Sequence, residues 1–243
     1  MPGEEGGDVV EHLVSDGVAD PRVEVEPWQP HRVGANPRFR YTFLVDREDW
    51  NRRYREKELV WSAEPNRVLA EEVADLAPGR ALDLGAGEGR NAIWLAERGW
   101  RVTAVDFSDV ALEKARRIAA EREVGIETVH ADLTGYRPEP AAFDLVLLLY
   151  LHLPRPEMAG VVDGAARAVA PGGTFLLIGH DRTNLERGHG GPRSPEVLYD
   201  TEEIAGLLTG FEIEKAGTRH RPVETEQGTV SAIDCLLRAR AVP

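Results

Sequence analysis

The sequence predicts an α/β protein with a doubly wound, mostly parallel sheet. Three observations carry this. From about residue 80 to 180, short apolar segments alternate with segments of helical periodicity, the rhythm of consecutive β-α-β units with right-handed crossovers. The runs "LVLLL" and "FLLI" are apolar at every position, as strands buried on both faces of a parallel sheet must be. A glycine-rich loop at 85–89 joins the first of these segments to a helix, where this class of fold binds its ligands.

The elements follow in order. Residues 46–58, "DREDWNRRYREKE", read as a helix with Trp50 and Tyr54 one turn apart. Asn66 is an N-cap for a helix to about 76, with Leu69, Val73 and Leu76 on one face. "PGR" at 78–80 stops it, and "ALDL" is a short buried strand. A helix from Asn91 to Arg98 is closed by Gly99. "RVTAVD" at 101–106 is the second strand, and Ser108 caps a helix that buries Ala111, Ala115 and Ile118. "IETVHAD" at 126–132 and "FDLVLLLY" at 143–150 are the third and fourth strands. Pro156 starts a helix with Met158, Val162, Ala165 and Val169 at helical spacing. "PGG" at 171–173 is a turn before the fifth strand, "TFLLIG". A helix at 201–209 then leads to "FEIEKAG", a Glu-rich turn and "TVSAIDCLLRAR", a hairpin of two late strands.

Residues 1–44 differ, with eight acidic and four basic residues, scattered Pro and Gly, and no sustained period. They read as a flexible extension ahead of one domain over 45–243. Val45, just before the regular pattern, is an expected alternative initiation site read from a GTG codon. Of the 243 residues, 42% are hydrophobic and 29% charged, enough for a packed core. The net charge of −13 argues against nucleic acid, whose binders need a basic footprint. The single cysteine, Cys235, allows no internal disulfide and no Cys-based zinc site, and suits a reducing compartment. The longest apolar run, "LVLLLYL", falls far short of the ~20 residues of a membrane span. With no basic-then-apolar signal at the N-terminus, a cytoplasmic protein is expected, away from the membrane, as a monomer or homodimer.

The glycine loop narrows the ligand. The dinucleotide fingerprint G-x-G-x-x-G needs a third glycine where this chain has Arg90; the pattern here is Gly85, Gly87, Gly89. A pyrophosphate would be repelled by Asp83 and Glu88, whereas an ammonium would be attracted. Asp106 ends the second strand 19 residues after Gly87, placed to accept from both hydroxyls of a ribose. Asp132 ends the third strand, either to accept from an adenine amino group or to cap a turn. Together the three acids describe a ligand with an ammonium, a ribose diol and an adenine, as S-adenosylmethionine has.

The ordered segments "LDLGAGEGRNAIWLAERG", "VTAVDFS", "HADL", "FDLVLLLYLH" and "PGGTFLLI" resemble the motifs of class I S-adenosylmethionine-dependent methyltransferases over residues 46–243. "GRN" after the glycines, the early "RY…W" and the late "RHR" are similar to the tellurite-resistance and thiopurine-type small-molecule branch. The resemblance implies a Rossmann-like methyltransferase fold: a seven-stranded, mostly parallel sheet with one antiparallel strand from the C-terminal hairpin. It implies that Gly85, Ala86 and Gly87 lie under the methionine part, with Arg90 or Asn91 near its carboxylate. Asp106 and Ser108 would stand at the ribose, Phe107 would cover the adenine, Asp132 and Leu133 would border it, and Leu149 would close the fourth strand beside the cofactor. Trp50 and Tyr54, with Trp61, would belong to a lid over the cofactor, or to the core, or to both.

The methyl acceptor is expected to be a small molecule: a thiol, a chalcogen oxyanion or a hydroxyl compound. "LYLH" at 149–152 stands where nucleic-acid amino methyltransferases carry (D/N)-P-P-(Y/F), which argues against those substrates. His152 is a candidate base or a structural hydrogen-bonding residue. His220 and Arg221 match the His-Arg pair that faces the methyl group in the tellurite branch, although the further Arg of that branch is absent from "ETEQGT"; a solvated basic turn is the alternative. The polar, glycine-rich stretch 180–196 suits a mobile substrate loop, and His180 and His189 lack metal-ligand spacing, so no metal is expected. Two other functions compete: a non-catalytic S-adenosylmethionine-binding protein and a dinucleotide-dependent oxidoreductase.

Overall fold

The computed structural model describes residues 47–242; the expected extension 1–44 and Val45 lie outside the described residues. Seven strands form one sheet: β1 (Arg80–Leu84), β2 (Arg101–Asp106), β3 (Glu127–His130), β4 (Phe143–Leu149), β5 (Val169–His180), β6 (Phe211–Thr225) and β7 (Gly228–Ala241). Their order is β3-β2-β1-β4-β5-β7-β6, with β7 antiparallel to both neighbours and the other pairs parallel. The order reverses between β1 and β4, so the binding crevice opens beyond the carboxyl ends of these two strands.

Helices α1 (Arg47–Glu56), α2 (Arg67–Glu72), α3 (Arg90–Ala96), α4 (Asp109–Glu121), α5 (Arg155–Ala168), α6 (Asn184–Arg187) and α7 (Thr201–Ala205) accompany the sheet. Alternating strand residues build two cores. Leu82, Val146, Phe175 and Leu177 pack with Met158, Val162 and Ala165 of α5 on one face. Ala81, Leu145, Leu147, Leu176 and Leu236 pack with Leu69, Ala92 and Leu95 on the other. The central strands thus bury both faces, as their unbroken apolar runs require.

Several boundaries differ from expectation: α7 ends at Ala205 rather than 209 and β3 at His130 rather than 132, and three others differ for a visible reason. Helix α2 ends at Glu72 rather than near 76, because the Glu72 carbonyl accepts from Arg238 and the Leu76 amide turns back to Val73. Val169 does not continue α5. It is extended and pairs with Phe143, and "PGG" lies within β5, where Gly172 takes φ +74°. The hairpin is longer than expected: β6 runs to Thr225, so part of the Glu-rich turn is strand. Pro222 is tolerated there because β6 is the sheet edge and one side of it needs no ladder donor. Among the described residues no helix is long and apolar enough to cross a membrane.

Candidate functional site

The loop after β1 is built from three left-handed glycines, Gly85, Gly87 and Gly89, at φ +81°, +55° and +79°. L-residues pay to adopt this conformation and glycine does not. The amides of Gly85 and Ala86 both donate to the Val105 carbonyl, which pins the loop over the end of β2. A Cβ on Gly89 would lie 2.8 Å from Ala115 Cβ, so this glycine lets α3 pack against α4. A Cβ on Gly87 would lie 2.9 Å from the Tyr54 hydroxyl, so this one admits the lid. Tyr54 stacks on Trp50 at 5.5 Å, Trp50 lies 6.1 Å from Trp61, and the Arg90 guanidinium stands 5.9 Å from the Trp61 ring. The early aromatics therefore lie directly over the glycine loop.

Glu88 anchors this lid. Buried itself, it accepts from the amides of Val60 and Trp61 at 2.9 and 3.2 Å and pairs with Lys114 at 3.0 Å. The expectation that Glu88 repels a phosphate is corrected by this geometry, since its charge is neutralised by Lys114 and turned to the lid. Asp83 alone retains that role.

Asp83 is 1% exposed and its Oδ2 has no hydrogen-bond partner. Burial, reinforced by the neighbouring Asp106 carboxylate, pushes its carboxyl up to about 7, against the opposing effect of Arg90. Unfolded aspartate titrates near ~4, so the folded protein binds more protons than the unfolded chain between that value and about 7. This contribution to stability is complete below the window and is lost as the pH rises through about 7. Denaturant melts at pH 5 and pH 8 should therefore differ less in Asp83→Asn than in the wild type; an unchanged difference would show that Asp83 is not the titrating group.

Asp106 Oδ2 accepts from the Gly87 amide at 2.8 Å and Oδ1 from the Ser108 amide at 2.9 Å. Burial raises its pKa, and these amide bonds oppose the rise. A carboxylate has about four acceptor sites, so two remain for a ligand. Past it lies a cavity of about 460 Å³ lined by Arg47, Glu48, Phe107, His130, Ala131 and Asp132. Asp132 serves as a turn cap through Oδ1, which accepts from the Thr134 amide and hydroxyl at 2.9 and 2.7 Å, and it also borders the cavity. The turn-cap reading of Asp132 holds, and Asp132 lies beyond the end of β3 at His130 rather than closing that strand.

Several expected cofactor residues also have architectural partners. The Ser108 hydroxyl caps α4 through the Ala111 amide and donates to Asn51 of α1. Asn91 Oδ1 accepts from the Asn66 amide at 2.8 Å, holding the start of α2 to α3. Leu133 and Leu149 are buried in the two cores. Arg90 remains at the loop, where burial lowers its pKa, and it interacts electrostatically with Tyr150, Asp83 and Arg221.

Arg90 thereby links the loop to a second polar cluster. Adjacent residues of a strand point to opposite faces, so β6 cannot bring both His220 and Arg221 to one site. Arg221 turns inward, with Nε 2.7 Å from Asp234 Oδ2 and 3.2 Å from the Tyr150 hydroxyl. His220 is exposed and bonds to Ser231 at 3.0 Å. The expected His220–Arg221 pair is corrected to Arg221 with Asp234. Asp234 is fully buried and also accepts from the Tyr150 hydroxyl at 2.7 Å. His180 Nδ1 lies 3.2 Å from Asp234 Oδ1, and the His152 ring stacks on His180 at 5.4 Å. The stretch 180–196, expected to be mobile, is anchored where Asn184 accepts from the Ile233 amide and donates to the Gly190 carbonyl.

Sequence reasoning passed over Tyr150, His180 and Asp234 as site residues. One signal was present: Asp234 stands inside the apolar run "SAIDCLL", where a lone carboxylate must have a partner.

With this geometry in place, comparison with known proteins becomes specific. Residues 81–173 match the family described as "Methyltransferase domain". The chain is 29% identical over 117 residues to the 2-heptyl-1-hydroxyquinolin-4(1H)-one methyltransferase of Mycobacteroides abscessus, covering 47% of this chain and 52% of that protein. It is 35% identical over 102 residues to the ubiquinone biosynthesis O-methyltransferase of Idiomarina loihiensis, covering 40% and 41%. The solved structure described as "Conversion of a Disulfide Bond into a Thioacetal Group during Echinomycin Biosynthesis" superposes with a TM-score of 0.65 at 23% identity, over 81% of this chain and 93% of that one. Residues 81–173 thus match a methyltransferase domain, and the seven-stranded sheet that holds them has the fold of class I S-adenosylmethionine-dependent methyltransferases. S-adenosylmethionine is the cofactor of that class, and this chain spans about half the length of the curated relatives it matches.

Proposed function

We propose that the protein transfers a methyl group from S-adenosylmethionine to a small-molecule acceptor. The observation that carries this reading is the unpartnered Asp83 oxygen beside the left-handed glycine loop. A buried carboxylate oxygen with no donor fits an ammonium and opposes a pyrophosphate. Asp106 offers its remaining acceptor sites to a ribose, and the cavity beyond it, lined by Phe107 and Asp132, accepts a flat base. The cofactor, when bound, supplies an electrophilic methyl on a sulfonium. The chain's own work is to align an acceptor with that methyl and to exclude water, and alignment of this kind is worth about 7–11 kcal/mol in well-oriented systems. Trp50, Tyr54 and Trp61 form the cover that keeps water out.

Of the three expected acceptor classes, the hydroxyl compound is favoured. Arg221, the cation that would hold an oxyanion, is already paired with Asp234. That pairing weakens the finer placement in the tellurite-resistance branch, which rests on "GRN" and "RHR". The two curated relatives above are named for a hydroxyquinolone and for O-methylation, which supports the same class. The net charge of −13 supports a small molecule over nucleic acid, and we infer a cytoplasmic setting from the same composition.

Calorimetric titration tests the reading. S-adenosylmethionine should bind at one site per chain, with NAD showing no heat under the same conditions. Tight NAD binding without S-adenosylmethionine binding would favour a dinucleotide-dependent oxidoreductase instead.

A further inference from the structure

Resting on the methyltransferase reading, we propose that His180, oriented by Asp234, is the general base that takes the proton of a hydroxyl acceptor. His180 closes β5 with the same parity as Leu176 and Ile178, on the sheet face that carries Asp83 and Leu149. It is therefore directed to the side on which the glycine loop opens. Its ring lies 5.3 Å from that of Tyr150, whose phenol in turn faces Arg90 and so Asp83. The dyad and the cofactor cradle thus share one face of the sheet, with Tyr150 and Arg90 between them.

The tautomer follows from the partners. Nδ1 of His180 lies 3.2 Å from Asp234 Oδ1 without completing a hydrogen bond, and the neighbouring carboxylate, which only accepts, favours the tautomer with the proton on Nδ1. Nε2 is left with its lone pair, and no described residue donates to it. The ring rests against the backbone of Gly191, where a Cβ would come within 2.6–2.8 Å of it. Asp234 is fitted to its orienting role. Burial alone would raise its pKa, but the nearby His180 and the hydrogen bonds from Arg221 and Tyr150 hold the carboxyl below the usual range. The groups facing His180 are Asp234 of β7, Arg221 of β6 through Asp234, Tyr150 and His152 after β4, and Tyr199 beside His152.

His152 cannot share the task. Its Nδ1 donates to the Val197 carbonyl at 2.9 Å, its Nε2 is buried without a partner, and burial pushes its pKa down to about 4. It is a neutral ring backing His180. Among the described residues no three acidic, histidine or cysteine side chains are grouped to hold a metal ion.

A thiolate or an oxyanion would need no base, and Arg221 is already paired with Asp234. An alcohol or phenol needs what is present. Its oxygen forms the new O–C bond with a lone pair, its proton passes to Nε2 of His180, and the S–C bond breaks with its electron pair remaining on sulfur. Charge balances, and no oxidant is required. His180 then returns the proton to solvent.

The test uses the full chain and S-adenosylmethionine, with catechol, 4-nitrophenol and 1-hydroxyquinolin-4-one as probes and 2-mercaptoethanol and selenite as comparisons. Wild type should methylate at least one of the hydroxyl probes. His180→Gln should lower kcat on the order of 100-fold or more, with S-adenosylmethionine binding intact. Its residual rate should climb with hydroxide concentration where the wild-type rate levels off. Asp234→Asn should show the same changed profile and Asp234→Glu should partly restore it, which separates positioning from loss of packing; it also carries the test should His180→Gln not fold. Methylation of 2-mercaptoethanol or selenite without any hydroxyl probe, turnover of no hydroxyl probe at all, or wild-type kcat in His180→Gln would overturn the assignment. Failure of the wild type to bind S-adenosylmethionine would instead overturn the methyltransferase reading.

Discussion

Asp106→Ala is expected to weaken S-adenosylmethionine binding by at least ~100-fold. Hydrogen bonds to a charged group are worth about 1.5–3 kcal/mol each, and two to a ribose diol exceed that factor at about 1.4 kcal/mol per tenfold. The same carboxylate also fixes the protein's own binding surface. Without it the Gly87 amide loses its 2.8 Å partner and the Ser108 amide its 2.9 Å partner, so the loop that forms the floor of the site is released as well. Calorimetry on the variant, with circular dichroism to confirm the fold, checks this. Affinity within a few-fold of the wild type would remove Asp106 from the site.

Gly179→Ala should be among the most destabilising small substitutions in the protein. Gly179 pairs with Cys235 at the junction of β5 and β7, and a Cβ there would lie 2.2 Å from Tyr199 Cε2. Tyr199 cannot retreat easily. It is buried, its hydroxyl donates to the Leu151 carbonyl, and its ring lies 5.2 Å from that of His152. Overpacking of this kind costs about 3 kcal/mol, which for a chain of this size lowers Tm by roughly 6–12 °C. Tyr199→Leu in the same chain opens the space, so the double variant should be more stable than the sum of the single effects implies. Thermal melts of the three variants decide this, and simple additivity would contradict it. Because His180 follows Gly179 directly, the single variant should also disturb the acceptor end of the crevice.

The architecture was legible because it follows from periodicity. Unbroken apolar runs marked the central strands, and Gly85, Gly87 and Gly89 marked the loop, since only backbone conformation and close approach ask for glycine at such spacing. Asp106 was legible for a related reason: it closes the buried strand β2, and a carboxylate there needs partners, which the Gly87 and Ser108 amides supply. The acceptor side was not legible in the same way. His220 and Arg221 are neighbours in sequence, but strand alternation turns them to opposite faces. Arg221 instead meets Asp234 and Tyr150, which are 13 and 71 positions away in the chain. Such groupings depend on the register of β6 against β7 and of β7 against β5, and local pattern does not encode that register. Glu88 illustrates the same limit. As a residue of the loop it read as a charge facing the ligand, while its bonds run to Val60, Trp61 and Lys114.

A crystal structure with S-adenosylhomocysteine bound tests the central claim most directly. The account predicts the ligand's ammonium on Asp83, its ribose diol on Asp106, its adenine in the cavity beside Phe107 and Asp132, and its sulfur directed toward Tyr150 and His180. A ligand bound elsewhere, or one whose ammonium leaves Asp83 without a partner, would contradict it.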